Sequence, residues 1–192
     1  YYQGIVWGFL SYDPSVPPEE PVRPTAHLAH FADSGLVHYR NAAHGVALAL
    51  KCAPFDGFSA YLQVHGPCDR LATVPAAGHF SFYLNDRPVL CSPDAGYRLH
   101  TAVRNCLLID GKGQYGDIGY PMSIPSWRWR GEQIVATDWN PQTGQGFVRL
   151  DLGPAYPAEA GVAEYLRDFL FFPEQRLLVR DTVTLDEPRS LA

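Results

Sequence analysis

The sequence has 192 residues, of which 46% are hydrophobic and 18% are charged, so it is long enough and apolar enough to bury the core of one large domain. Its formal net charge of −5 argues against a nucleic-acid-binding protein, because such proteins need a basic surface to meet phosphate. No apolar run reaches the length of a membrane span, and seventeen Gly with seventeen Pro favour turns and short strands over long helices.

Residues 1–24 are predicted to be the end of a preceding helical domain and a linker. Tyr2, Ile5 and Phe9 recur at helical spacing, and the Pro-rich stretch 13–21 suits neither a helix nor a central strand. The sequence starts without Met and without the basic region of a signal peptide, so we expect an internal piece of a longer polypeptide.

Residues 25–192 are predicted to form an all-β domain, an antiparallel β-sandwich, because short alternating or apolar runs follow one another between turn residues. In the clearest run Phe80, Phe82 and Leu84 share one face, and a turn at 85–87 follows. Residues 158–165 could form a helix, but the strand that follows favours extended structure. The predicted strands are 36–40, 46–51, 59–64, 79–84, 88–91, 134–139, 147–152, 166–172 and 177–185.

The stretch 105–114 reads Asn-Cys-Leu-Leu-Ile-Asp-Gly-Lys-Gly-Gln, and it predicts a buried strand that runs into a tight turn. Asp110-Gly111 would break the strand, and Gly113 would adopt a backbone conformation closed to other residues. The motif resembles the Asn-Thr-hydrophobic-Asp-Gly-Lys-Gly-Gln signature of heparinase II/III-like polysaccharide lyases.

Further motifs in the same order extend this resemblance over most of the chain. Residues 35–40 and 47–51 are similar to the family's first strands, 77–84 with 87–90 to its central hairpin, 93–97 to its Asp-x-Gly-Tyr element, and Arg180-Asp181 to the Arg-Asp of a late strand.

The resemblance implies a β-sandwich that follows an N-terminal helical toroid of the same polypeptide, with the active site between the two. It implies a bacterial, periplasmic or extracellular enzyme that cleaves an acidic, uronate-containing polysaccharide by β-elimination. No membrane partner is expected. Since the family's catalytic Tyr and Asn come chiefly from the toroid, this chain by itself is expected to be inactive.

The sequence departs from the family where a His-x-His-x-Asp cluster normally supplies a base and a metal ligand. The aligned positions are Ala72, Val74 and Ala76, and Arg104 replaces the His that precedes Asn105. We therefore expect no cofactor, although the resemblance leaves zinc open if His65 or Asp69 fills the role instead.

His79 and Tyr97 are the predicted catalytic residues, because Tyr and His suit proton transfer. His79 follows Gly78 at the start of a strand, on its more polar face; the alternative is a hydrogen-bonded sheet histidine. Eight residues are predicted to bind substrate: His65, Asp94, Arg98, His100, Arg104, Asn105, Arg128 and Arg130.

Three groups of residues support these substrate contacts, each with a structural alternative. Asp94, Tyr97, Arg98 and His100 crowd one loop, which could instead be a turn held by Asp94. Arg128 and Arg130 alternate with Trp127 and Trp129, which suits an acidic glycan by charge and stacking, or a core strand with a solvated edge. His65 lies in a His-Gly-Pro loop, and the alternative is a surface histidine.

The competing function is a non-catalytic carbohydrate-binding or structural sandwich, which the degenerate His-x-His-x-Asp region favours. The four cysteines lack the short paired spacing of a zinc site, so buried free thiols are expected. A disulfide between Cys91 and Cys106 stays open for an exported protein.

Overall fold

The computed structural model describes residues 26–53, 57–59, 76–91, 100–115, 117 and 130–192. These residues form nine strands: β1 Ala26–Phe31, β2 Leu36–Asn41, β3 Val46–Lys51, β4 Phe80–Leu84, β5 Arg87–Leu90, β6 Gln133–Asn140, β7 Gln145–Asp151, β8 Val162–Phe172 and β9 Arg176–Leu185. Three single-turn 3-10 helices cover Thr101–Val103, Gly153–Ala155 and Ala158–Ala160. None of the helices in this part of the chain is long and apolar enough to cross a membrane.

The strands form two antiparallel sheets in which every strand pairs with its neighbour in the sequence. One sheet has the order β1-β2-β3-β4-β5 and the other β6-β7-β8-β9. The turn between β4 and β5 places Asn85 and Asp86 at φ values of 49° and 60°, the left-handed conformation that matches the twist of a two-residue hairpin. The predicted all-β fold of antiparallel sheets is confirmed.

The core lies between the two sheets and is built from the alternating inward faces of their strands. Tyr39 of the first sheet stacks on Phe171 of the second with 4.8 Å between ring centroids, and Phe80 meets Phe169 edge-on at 5.1 Å. The Tyr39 hydroxyl, buried with its ring, donates a hydrogen bond to the Gly144 carbonyl at 3.2 Å. Burial of large aromatic side chains from both sheets therefore holds the sandwich together.

The structure differs from the predicted strands at β1 and at 158–165. Strand β1 was not predicted, because its two histidines obscure the apolar alternation. In 158–165 a 3-10 turn comes first, and extended structure begins only at Val162. The predicted strand 59–64 lies outside the described residues except for Ser59, which is not in a strand, and so do the predicted helical remnant and linker at 1–24.

The predicted strand at 105–109 is wrong, because this segment belongs to neither sheet. Ile109 forms isolated bridges with Lys112 and Leu191, and Leu108 exchanges two backbone hydrogen bonds with Ala192 at 2.7 and 3.1 Å. The segment therefore pairs with residues near the C-terminal end of the sequence instead of entering a sheet.

The turn that follows this segment is confirmed, but the reason given for Gly113 is wrong. Asp110 and Gly111 have φ values of 50° and 71°, and Ile109 and Lys112 exchange backbone hydrogen bonds of 2.9 Å on either side. Gly113 has no positive φ; instead, a Cβ there would lie 1.9 Å from the Asp117 carboxylate and 2.3 Å from the Thr101 hydroxyl. Space, and not backbone conformation, requires glycine at this position.

The described cysteines contain no disulfide. Cys52, Cys91 and Cys106 are free thiols, so the bond considered between Cys91 and Cys106 is not formed in this structure. Cys52 is buried, as expected, but Cys91 is exposed. Cys68 lies outside the described residues.

Replacing Phe169 by Ala is expected to lower the free energy of unfolding by about 3–5 kcal/mol, because its fully buried ring contacts both Phe80 and Phe171. The matched control is Leu178→Ala on the neighbouring strand, whose side chain is 51% exposed and whose loss is expected to stay within about 0.5 kcal/mol. Urea denaturation followed by tryptophan fluorescence measures both, and equal losses would contradict this account of the core.

Candidate functional site

The chain enters strand β4 through a turn that places His79 at the edge of the core. Gly78 has a φ of 77°, and a Cβ there would come within 2.6 Å of the Leu152 side chain, so both backbone and space demand glycine. The Gly78 N–H donates to the Lys51 carbonyl at 3.1 Å, and the His79 N–H donates to the Ala76 carbonyl at 3.0 Å. This fixed turn leaves the His79 ring half-buried immediately before Phe80.

The Asn105 side chain binds the backbone of β4 as a neighbouring strand would. Its Oδ1 accepts the Phe80 N–H at 3.0 Å, and its Nδ2 donates to the Phe80 carbonyl at 2.8 Å. In addition, His79 Nδ1 lies 2.7 Å from the same Oδ1. Asn105, which was predicted to bind substrate, thus lies beside the predicted catalytic His79, and both polar atoms of its amide are hydrogen-bonded to Phe80.

This arrangement determines which ring nitrogen of His79 carries the proton. The two bonds to Phe80 fix the amide orientation, because flipping it would face N–H against N–H and oxygen against oxygen. Since Oδ1 can only accept, His79 Nδ1 must be the donor. In the neutral ring, Nε2 then holds the lone pair and is the atom available as a base.

The surroundings of His79 favour its neutral form. Burial lowers the pKa of His79 from its ordinary value of 6.5; the hydrogen bond to Asn105 acts in the opposite direction, and the positive charges of Arg104 and Arg167 lower it further. A neutral imidazole with its lone pair on Nε2 is the state that general base catalysis requires at neutral pH.

Arg167, on strand β8, joins this site to the opposite sheet. Its side chain is 4% exposed, and it forms a two-point ion pair with Asp181 of β9, with N–O distances of 2.7 and 2.8 Å. Its Nη1 also donates to the Asn105 carbonyl at 2.6 Å and to the Gly78 carbonyl at 3.1 Å. Burial alone would lower the pKa of Arg167, but the hydrogen bonds and charge of Asp181 outweigh it, and the net pKa is raised.

Sequence reasoning missed Arg167, although a signal for it was present. In β8 the core-facing positions are Tyr165, Arg167, Phe169 and Phe171, so one cation interrupts an otherwise aromatic face. Asp181 interrupts the facing apolar positions of β9 in the same way. The two residues of the Arg180-Asp181 motif therefore lie on opposite faces of the sheet. Arg180 binds Asp168 on the outer face, and Asp181 binds Arg167 on the inward face.

A second polar cluster adjoins His79 through Gln114. The Gln114 side chain accepts the Ala77 N–H at 3.0 Å and donates to the Ala77 carbonyl at 2.8 Å, one residue before Gly78.

The same residue is linked to His100. The Gln114 backbone N–H donates to the Thr101 hydroxyl at 2.9 Å, and the Thr101 N–H donates to Asp117 at 3.1 Å. Asp117 also lies 3.2 Å from Nδ1 of His100. His100, predicted from the loop 94–100, is thus linked through Thr101 and Gln114 to the turn that carries His79.

Arg130 lies in a different environment from His79. Its guanidinium stacks over the Tyr115 ring, 4.2 Å from the centroid. Both side chains border an open cavity of about 580 Å³ that is also lined by the carboxylates of Asp151 and Glu164. An aromatic ring, a cation and two carboxylates around such a space are groups that can stack on a sugar and hydrogen-bond its hydroxyls.

Half of the predicted site residues can be located in the structure. His79, Arg104 and Asn105 come together, His100 lies on the adjoining cluster, and Arg130 lines the separate cavity. The other five, which are His65, Asp94, Tyr97, Arg98 and Arg128, lie outside the described residues. The roles of all ten stay predictions.

Among the described residues, no three His, Cys, Asp or Glu side chains are grouped so that they could hold a metal ion. Ala76, at the Asp position of the family's metal cluster, is described and has no ligating atom, whereas positions 72 and 74 lie outside the described residues. The predicted absence of zinc therefore stays a prediction.

Comparison with known proteins identifies the fold. No family model and no curated protein matches the sequence. A crystal structure of heparinase III matches 85% of this chain at 12% identity with a TM-score of 0.58. Two structures of another heparinase III product, one with methylated lysines, match 88% at 16% and 15% identity, with TM-scores of 0.59 and 0.57. At these identities the likeness is one of fold, and the chain spans 23–24% of the length of those proteins.

Replacing Asn105 by Ala is expected to lower the free energy of unfolding by about 2–3 kcal/mol, because it leaves the part-buried N–H and carbonyl of Phe80 without partners. The control is Asn140→Ala, which removes two similar side-chain bonds, to Gln142 and Thr143, on an exposed turn where water replaces them. Its loss is expected to stay below about 1 kcal/mol. Chemical denaturation measures both, and equal effects would mean that Asn105 does not hold the β4 edge.

Proposed function

We propose that this chain is the β-sandwich part of a polysaccharide lyase of the heparinase II/III type, and that it contributes His79 to β-elimination on a uronate-containing acidic glycan. The observation that carries the proposal is the His79–Asn105 bond, which places the proton of a neutral imidazole on Nδ1 and its lone pair on Nε2, the atom that can act as a base. The shared fold with heparinase III supports it.

In this proposal the reaction runs as an elimination beside the uronate carboxylate. Nε2 of His79 takes the proton from the carbon next to the carboxylate, the electron pair forms a carbon–carbon double bond, and the glycosidic oxygen leaves with a proton from an acid. Arg104, whose charge acts on His79, neutralises the carboxylate as the carbanion develops. Tyr97, or a tyrosine of a preceding helical domain, is the proposed acid.

The proposal makes the helical toroid of the same polypeptide the main partner of this domain. It places the enzyme in the periplasm or outside the cell, where acidic polysaccharides are met. Since a preceding helical domain would supply further site residues, the chain of 192 residues is expected to be inactive by itself.

A second candidate function is non-catalytic carbohydrate binding. The stack of Arg130 on Tyr115 beside the cavity of about 580 Å³ favours it, because a glycan could bind there without any base. Ala76, which replaces a carboxylate of the family's cluster, favours it as well.

Replacing His79 by Gln in the full-length enzyme is expected to lower turnover at least about 100-fold, because the general base is lost. The control is His30→Gln on the exposed edge of β1, which should leave turnover unchanged. Formation of the unsaturated uronate product, followed by ultraviolet absorbance and mass spectrometry over a panel of acidic glycans, measures both variants.

Two outcomes of this experiment would contradict the proposal. Full activity of the His79→Gln enzyme would remove His79 from the chemistry. Glycan binding by the full-length protein without any unsaturated product would favour the carbohydrate-binding function. Product formation by the 192-residue chain alone would show instead that the chain holds a complete site.

Zinc is not expected in the purified full-length protein, because the family's cluster is replaced by Ala72, Val74 and Ala76. Elemental analysis of protein prepared without chelators should find zinc far below equimolar amounts. Tightly held zinc in equimolar amount would mean that other residues, such as His65 or Asp69, supply the ligands.

A further inference from the structure

Arg167 occupies a position that costs free energy unless the side chain is fully partnered. It lies between Tyr165 and Phe169 on the inward face of β8, and all three residues are buried. A buried guanidinium must be paired and hydrogen-bonded, because desolvation of its charge is expensive. The groups that Arg167 binds therefore indicate which parts of the structure its side chain holds in place.

The four hydrogen bonds of Arg167 divide into two pairs. Two join Asp181 on the adjacent strand, which neutralises the charge. The other two go to the carbonyls of Gly78, the residue just before His79, and of Asn105, whose side chain accepts the hydrogen bond from His79. One nitrogen, Nη1, thus fixes the two backbone segments between which the His79–Asn105 bond forms.

The outer face of the same sheet offers an internal comparison. There Asp168 binds both Arg149 and Arg180 at positions directly opposite each other on β7, β8 and β9. Among the described residues the hydrogen bonds of Arg149 and Arg180 join only Asp168, so in this group the charges pair across the strands without a described contact to the loops. The contacts of Arg167 with Gly78 and Asn105 therefore have a role beyond the pairing of charges on β8 and β9.

We propose that Arg167, held by Asp181, is a positioning residue that keeps His79 in the tautomer with its proton on Nδ1 and its lone pair on Nε2. Arg167 sets the separation of Gly78 and Asn105, and Asn105 then presents Oδ1 to Nδ1 of His79 at 2.7 Å. This inference rests on the proposed function, since it explains how the proposed base is prepared. Its geometric part holds whether or not the protein is an enzyme.

The charges around His79 act in the same direction. Among the described residues, Arg104 on the loop and Arg167 on β8 are the charged groups that lower the pKa of His79 in addition to burial, and the hydrogen bond to Asn105 opposes them. Asp181 faces Arg167 and not His79, so the carboxylate neutralises the guanidinium without offering the imidazole a negative partner. The His79 ring is therefore neutral, and its Nδ1–H donates to the amide oxygen of Asn105.

The test is nitrogen NMR of the 192-residue chain labelled with ¹⁵N, because the two ring nitrogens of a neutral histidine have distinct shifts in each tautomer. His79 is assigned by comparison with His79→Gln. The expected wild-type result is the pure Nδ1–H form, whereas free neutral histidine prefers the Nε2–H form. A wild-type spectrum of the Nε2–H form would overturn the proposal.

Two variants separate positioning from folding. The double variant Arg167→Met/Asp181→Leu removes the donors without leaving an unpaired buried charge, a change that folded proteins often tolerate. Arg167→Lys keeps the charge but loses the planar fork that reaches three partners. In both, the tautomer is expected to become mixed or to change to Nε2–H. Arg180→Met, on the outer face of the same strands, is the matched control and should keep the wild-type tautomer.

Each remaining outcome decides the question. A folded Arg167 variant that keeps the pure Nδ1–H form would overturn the proposal. Loss of the fold in both Arg167 variants would overturn it too, because the pair would then serve the sandwich as a whole. If the tautomer changes as expected but full-length His79→Gln retains activity, the proposed function fails and the positioning role of Arg167 stands.

In the full-length enzyme the double variant adds a kinetic measure. Positioning of the base predicts a fall of kcat of tenfold or more with KM nearly unchanged, since substrate contacts are intact. A rise of KM at constant kcat would point to a damaged binding surface and would contradict the positioning role.

Discussion

The ion pair between the buried Arg167 and Asp181 is the interaction on which the organisation of this domain depends. It lies in one sheet, yet its guanidinium reaches the entry of β4 in the other sheet and the loop at Asn105. The aromatic core brings the two sheets together but is non-directional, so it does not set where the loops end. A charge that must be fully hydrogen-bonded in a buried position accepts only one arrangement of its partners. The hydrogen bonds of Arg167, added to the apolar core, therefore fix the positions of Gly78 and Asn105.

Local patterns were sufficient for much of the fold. The alternation of Phe80 and Phe82 and the turn at Asn85-Asp86 depend on residues close in sequence, and both are seen in the structure. The segment 105–109 has equally good alternation, but its outcome is decided by distant groups. Asn105 uses its side chain to complete the edge of β4, and Leu108 finds its backbone partner at Ala192. Sequence periodicity carries no information on such competition for backbone partners.

The site divides in the same way. His79 and Asn105 were predicted as site residues because these polar residues lie next to glycine-containing turns in a recognisable order. Their direct bond was not predicted, since it joins two segments 26 positions apart through side chains. Arg167 was missed because a single charge in an aromatic strand is easily taken for a solvated edge. The role of Arg167 as an ion-pair partner is recognised only when the structure places Asp181 opposite it on the neighbouring strand.

The pairing of Leu108 with Ala192 has a consequence for how the site is made. Asp110 also receives hydrogen bonds from the backbone and hydroxyl of Ser190, so the loop after Asn105 takes its register from residues synthesised much later. During translation the two sheets can collapse first, because each is a chain of neighbouring hairpins with short loop closures. The contacts of Leu108 and Asp110 with Ala192 and Ser190 can form only after these two residues have emerged from the ribosome. In a nascent chain stalled before that point, the loop after Asn105 would lack the backbone partners that fix its register.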